Sequence, residues 1–178
     1  VEHWDYKTYD PNENLQQVAD MGFKEGLSYD FSCYIKNIDF DGEVQVYLDG
    51  DKNPSTAYQL DISNTGADWR KVEATLESAA TEDGALTIEF NGTGTLYIDF
   101  VQLIPQDAYG YGQEQWQYTP LRADLVDALQ KLSPSFIRFP GGCFCEGDSL
   151  ERLFDWKATI GPVEEREQSY NVWRNDAA

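Results

Sequence analysis

Basic residues are scarce in this chain: 13 lysines and arginines stand against 32 aspartates and glutamates in 178 residues, a formal net charge of −19. Such a surface repels phosphate backbones and anionic membranes, so neither nucleic acid nor a membrane is an expected partner. A neutral sugar polymer is compatible with it. Histidine is reduced to one, His3, and cysteine to three. One histidine without a second metal-like cluster gives no zinc-ligand spacing, and no metal or other cofactor is expected. Three cysteines form no disulfide framework: Cys143 and Cys145 are too close for an easy bridge, and Cys33 falls in a strand pattern. Apolar runs are short as well, none approaching the ~20 residues of a membrane span. No secretory signal precedes the first structured segment, although a signal removed earlier would leave the same sequence. Neither composition nor pattern specifies an oligomeric state.

What is present is a core-forming chain, 41% hydrophobic and 14% aromatic, which excludes a disordered one. Residues 1–20 scatter Trp4, Tyr6 and Tyr9 among charges and read as an irregular lead-in or an edge strand. From Leu27 a period of two sets in. Leu27, Tyr29, Phe31, Cys33 and Ile35 alternate with polar residues, the mark of a strand with one buried face. Val44, Val46 and Leu48 predict a second strand ending at Asp49-Gly50, and Tyr58, Leu60 and Ile62 a third. After the turn-rich Asn64-Thr65-Gly66, Trp69–Glu77 buries Val72, Ala74 and Leu76. Leu86, Ile88 and Phe90 run into Asn91-Gly92, read as a turn in preference to the N-glycosylation acceptor that Asn91-Gly92-Thr93 also spells. Leu96, Ile98 and Phe100 give way to Val101 and Leu103, a change of parity that predicts a β-bulge near Phe100.

These spacings predict a mainly β fold, an antiparallel β-sandwich or jelly roll over residues 1–105. Trp4, Tyr34, Tyr47, Trp69 and Tyr97 fall outside its core pattern, where they can stack on sugar rings or pack on neighbouring segments. Residues 106–118 read as a Gly- and Gln-containing linker. Thr119-Pro120 then opens a helix with a Thr cap and Pro in its first turn, carrying Leu121, Leu125, Val126, Leu129 and Leu132 on one stripe until Ser133-Pro134.

The segment on which function turns is 135–148. Phe136-Ile137-Arg138-Phe139 is too brief for a helix and rich in strand formers; Pro140 stops it, and Gly141 and Gly142 allow backbone conformations closed to other residues. A strand ending in a loop with Cys143, Cys145, Glu146 and Asp148 reads either as the rim of an α/β active site or as a structural turn with solvated polar residues.

Arg138-Phe139-Pro140-Gly141-Gly142-Cys143-Phe144 followed by Glu146-Gly147-Asp148 resembles the signature of α-L-arabinofuranosidases of glycoside hydrolase family 51. The likeness continues, in order and spacing, through Trp156-Lys157, Thr159-Ile160-Gly161-Pro162 and Glu164-Glu165-Arg166 to Asn171-Val172-Trp173, and more weakly backwards over 22–105. It departs at Glu167-Gln168, where the family has Pro-Gly, and after Trp173. The resemblance implies a carbohydrate-binding-like, galactose-binding-like sandwich at 1–105 and, over 119–178, the incomplete start of a (β/α)₈ catalytic barrel. A whole barrel takes about 250 residues. It further implies a retaining glycosidase that releases terminal α-L-arabinofuranosyl groups from arabinose-containing polysaccharides or oligosaccharides, with two carboxyl groups about 5–5.5 Å apart. Both are glutamates on later barrel strands in the family, so the resemblance assigns no catalytic residue to this chain. Glu146, Asp148, Glu164 and Glu165 do not take their place; Glu146, Asp148 and Arg166 are expected to fix the loop through charged hydrogen bonds. For substrate binding it points to Cys143 beside the furanose, with Gly142, Trp156 and Trp173 along the pocket or its rim, core packing being the alternative for the tryptophans. An extracellular or periplasmic location, or a cytoplasmic one, fits such a substrate. The competing functions are a non-catalytic carbohydrate-binding module and a structural accessory sandwich.

Overall fold

The computed structural model describes residues 21–52, 56–63, 68–117, 120–139, 141–147, 149–167, 170–171 and 176–177, the side chains of 143–144, 170–171 and 176–177 excepted. Expectations for residues 1–20, the turn at Asn64-Thr65-Gly66, the cap at Thr119, Pro140, Asp148 and Trp173 lie outside the described residues. The chain divides into two compact units, Val1–Gln106 and Asp107–Ala178.

The first unit is built from strands β1 (Met21–Phe23), β2 (Ser28–Asn37), β3 (Asp41–Asp49), β4 (Tyr58–Gln59), β5 (Arg70–Glu77), β6 (Glu82–Thr93) and β7 (Leu96–Pro105). They pair antiparallel throughout, in one sheet of order β1-β6-β3-β4 and another of order β5-β2-β7. Alternation decides which side chains go inside. In β2, Tyr29, Phe31, Cys33 and Ile35 are buried while the residues between them are only half covered. Val44, Val46 and Leu48 of β3 and Val72, Ala74 and Leu76 of β5 are buried in the same alternation, the residues between them being half covered in β3 and exposed in β5. Both sheets thus contribute to one hydrophobic cluster, completed by Phe23 and Leu60. Leu60 lies just beyond β4 and is held by its amide, which donates to the Val44 carbonyl at 2.8 Å. The expected third strand is thus only Tyr58–Gln59, with Ile62 half-buried outside it.

The expected turn at Asn91-Gly92 is not one. β6 runs through both residues to Thr93, pairing Gly92 with Gly42 and Asn91 with Glu43. Glycine is needed at 92 because a Cβ there would run into the Asp41 carbonyl and the Gly42 Cα of the adjacent strand. The chain reverses instead around Gly94, at φ 116, where the Thr95 amide donates to Asp39 Oδ1 at 2.7 Å. The bulge expected in β7 is present. Ser32 of β2 faces Gln102 but Tyr34 faces Asp99, so Phe100 and Val101 together stand against Cys33.

In the second unit, helix α1 spans Ala123–Leu132, three residues later than the Thr119-Pro120 signal placed it. Leu121 is drawn off into a bridge with Tyr109, whose amide donates to the Leu121 carbonyl at 2.8 Å. Arg122 becomes the cap, with no side-chain cap bond; its guanidinium is paired with Asp124 at 2.6 Å. Ser133 ends the helix in the left-handed region, φ 47, as the Ser-Pro pair leads one to expect. The stretch read as a linker is folded on itself: Tyr109 stacks edge-on to Trp116, centroids 5.3 Å apart, and Gly110 leaves room for that indole.

The stripe of α1 stays open, with Leu125, Leu129 and Leu132 at 52%, 53% and 72% exposure. Residues 136–139 carry no strand pairing, and Phe136, Ile137 and Phe139 are 84%, 75% and 75% exposed. A strand persists only when a neighbour takes up its backbone N–H and C=O groups, and no described segment does so for this one. No (β/α)₈ barrel is present in the described residues.

Candidate functional site

The glycine-rich loop after 139 forms a compact fold-back in the second unit. Gly142, at φ 77 and extended ψ, caps a one-turn helix α2, Cys143–Glu146, where the sequence pattern suggests only loop. Its carbonyl accepts from the Cys145 amide at 3.0 Å, and the Cys145 thiol lies 3.4 Å from the Gly141 carbonyl. Gly147 follows at φ 62, where a Cβ would collide with the Arg152 carbonyl. Glycine there is obligatory on two grounds, handedness and space. Sequence reasoning misses Gly147, whose signal is a lone glycine set between two acids, Glu146 and Asp148. Beyond it the chain turns through Leu150–Arg152 and comes back, the Phe154 amide reaching the Cys145 carbonyl at 3.4 Å.

That return places Trp156 in the same fold-back as Gly142 and the backbone of Cys143. Asp155 accepts from the Lys157 amide at 2.9 Å, starting the turn Trp156–Thr159, and the Thr159 hydroxyl closes it on the Trp156 carbonyl at 2.6 Å. The indole is 44% exposed, with the Lys157 ammonium 6.0 Å from its ring centroid, an arrangement of cation–π type. Trp156 is thus exposed within the second unit. Arg166 ties down the far end: its Nε and Nη2 both donate to the Gly161 carbonyl, at 3.1 and 2.9 Å. These bonds fix the chain at Gly161, five residues before Arg166, and not the glycine-rich loop 141–147. The Cys143 side chain and all of Trp173 lie outside what is described. Among the described residues there is no group of three or more His, Cys, Asp or Glu side chains that could hold a metal ion. No helix among them is long and apolar enough to cross a membrane.

Residues 128–178, which include this fold-back, match the sequence profile of the family described as Alpha-L-arabinofuranosidase 1 domain. Over 160 residues the chain is 34% identical to Alpha-L-arabinofuranosidase 1 of Arabidopsis thaliana, covering 86% of this chain and 22% of that protein. It is 32% identical over 162 residues to the Extracellular exo-alpha-L-arabinofuranosidase of Streptomyces chartreusis, covering 84% of this chain and 18% of that one. Alpha-L-arabinofuranosidase 2 of Arabidopsis thaliana gives 35% over 161 residues, 86% of this chain and 22% of the relative. No solved structure matches. The chain spans about a fifth of the length of the curated relatives it matches. The likeness to alpha-L-arabinofuranosidases runs through both units, and its C-terminal part, 128–178, matches the family's profile.

Proposed function

We infer that this chain is part of a retaining glycoside hydrolase that releases terminal α-L-arabinofuranosyl residues from arabinose-containing polysaccharides or oligosaccharides. The observation that carries the reading is the fold-back 141–166, whose three positive-φ glycines and Arg166 clamp present an exposed Trp156 within the stretch that matches the family. Gly142, Cys143, Trp156 and Trp173 bind substrate in this reading, as one wall of a furanose pocket. The catalytic glutamate pair belongs to later barrel strands, outside these 178 residues. Residues 1–105 form a jelly-roll, galactose-binding-like sandwich, 106–118 connect it, and 119–178 begin a (β/α)₈ catalytic domain that further strands complete. The open leucine stripe of α1 and the bare Phe136, Ile137 and Phe139 support this, since both are apolar faces of the kind a barrel buries. The extracellular relative from Streptomyces supports an exported protein.

The reading predicts that the 178-residue chain does not hydrolyse 4-nitrophenyl α-L-arabinofuranoside, while a longer gene product that supplies the missing strands does. Turnover by the 178-residue chain would require two acids poised within it, and sinks the assignment. The first unit alone invites a second function, as a carbohydrate-binding module or a structural support; its surface favours the former.

A further inference from the structure

The outer face of the β5-β2-β7 sheet carries aromatic rings that the fold places there at a cost. Leu96 and Ile98 of β7 pack against the core, and uninterrupted alternation would send Phe100 in after them. Instead Phe100 adopts φ 49, a region that a bulky side chain rarely enters. Its amide donates to Asp99 Oδ1 at 2.8 Å, and its ring, 40% exposed, meets Tyr34 edge-on with centroids 6.0 Å apart. Backbone strain and the solvent exposure of a large apolar ring are both unfavourable, and the core gains nothing from either.

Tyr97 joins the same face. Tyr34 is opposite Asp99 and Lys36 is opposite Tyr97, so the two tyrosines are diagonal neighbours, within reach of long side chains. Tyr97 is 52% exposed. Between and beside the rings stand Ser32, Lys36, Asp99 and Gln102, each next to an aromatic or in its register row. A protein partner calls for contiguous apolar area and a nucleic acid for a basic face. Rings interleaved with hydroxyl, amide, carboxylate and ammonium groups suit a neutral sugar chain, whose C–H faces lie on aromatic rings while its hydroxyls find hydrogen-bond partners at the edges.

We propose that this sheet face is a non-catalytic platform for a neutral polysaccharide, with Tyr97 and Phe100 as stacking rings and Tyr34 backing Phe100. The choice of polymer rests on the arabinofuranosidase reading. The test is native gel electrophoresis of the 178-residue chain through gels with and without soluble arabinoxylan. The wild type is retarded by arabinoxylan and not by polygalacturonate, an anionic polymer. Tyr97→Ala and Phe100→Gly each weaken retardation at least about fivefold, the loss of one stacked ring. Glycine adopts φ 49 without strain, and far-UV circular dichroism spectra of both variants matching the wild type separate loss of binding from loss of fold. Unretarded wild type, either variant retarded like wild type, or equal retardation by polygalacturonate overturns the platform. None of these touches the catalytic reading, which is decided on an aryl arabinofuranoside too small to need the sheet.

Discussion

Cys33 sits at the middle of β2, fully buried, with Val72 opposite it on one side and the Phe100–Val101 bulge on the other. Burial pushes its thiol from 9.0 up to about 11, because the apolar core disfavours a thiolate. The native state therefore holds its proton where the unfolded chain has released it, so this contribution is intact below about pH 9 and is lost as pH rises towards 11. A shift of this size corresponds to about 2–3 kcal/mol. Urea denaturation at about pH 8 and about pH 10.5, on either side of the unfolded thiol's titration, measures it. The wild type loses more stability between the two than Cys33→Ala, and parallel losses would show the thiol uninvolved. Single positions in regular strands were legible in the sequence, since alternation alone put Cys33 inside. Positions governed by another strand's approach were not. Gly92 looks like half of a turn dipeptide until Gly42 is seen against it, and only that contact explains why it is glycine.

At the scale of elements, the sheets and the α1 region answer differently to the same change. Ile35 and Val46 lie fully buried on the central strands β2 and β3, each flanked on both edges. Ile35→Ala should cost about 2–5 kcal/mol, the transfer loss plus the cavity left in a packed core. Leu129→Gln, on the open stripe of α1, should stay within about 0.5 kcal/mol in this chain. Urea midpoints of both variants check the contrast, and a comparable drop for Leu129→Gln would mean that the stripe is covered in solution. β2, β3 and β5 were read correctly because their period repeats often enough to stand out, whereas the end of β6 reads in sequence as a turn at Asn91-Gly92. β1, with three residues, was missed for want of a period, although its Phe23 is buried. The helix start was misplaced because Leu121 fits the stripe by spacing yet is claimed by Tyr109, a contact that sequence alone does not show.

At the scale of the molecule, the first unit encloses a core from two sheets, whereas no described residue of the second unit is fully buried. The sandwich-like pattern is self-contained in sequence and so could be read there. The proposed pocket wall was legible only as a motif, because no described segment pairs with 136–139 to make a strand of it. Phe136, Ile137 and Phe139 bracket one charge, Arg138, in a short tract of strand-forming residues open to water. Such a tract is adhesive at close range, while a charge of −19 keeps identical molecules apart at long range. Salt acts on the second force far more than on the first: the Debye length falls from about 30 Å at 0.01 M to about 3 Å at 1 M. Light scattering should accordingly find monodisperse particles in dilute buffer and growing ones in concentrated salt, with Phe136→Ser and Ile137→Ser suppressing the growth. The colloidal behaviour of this polypeptide is thus governed by ionic strength, with its acidity acting as the stabiliser of the suspension and four consecutive residues as the glue.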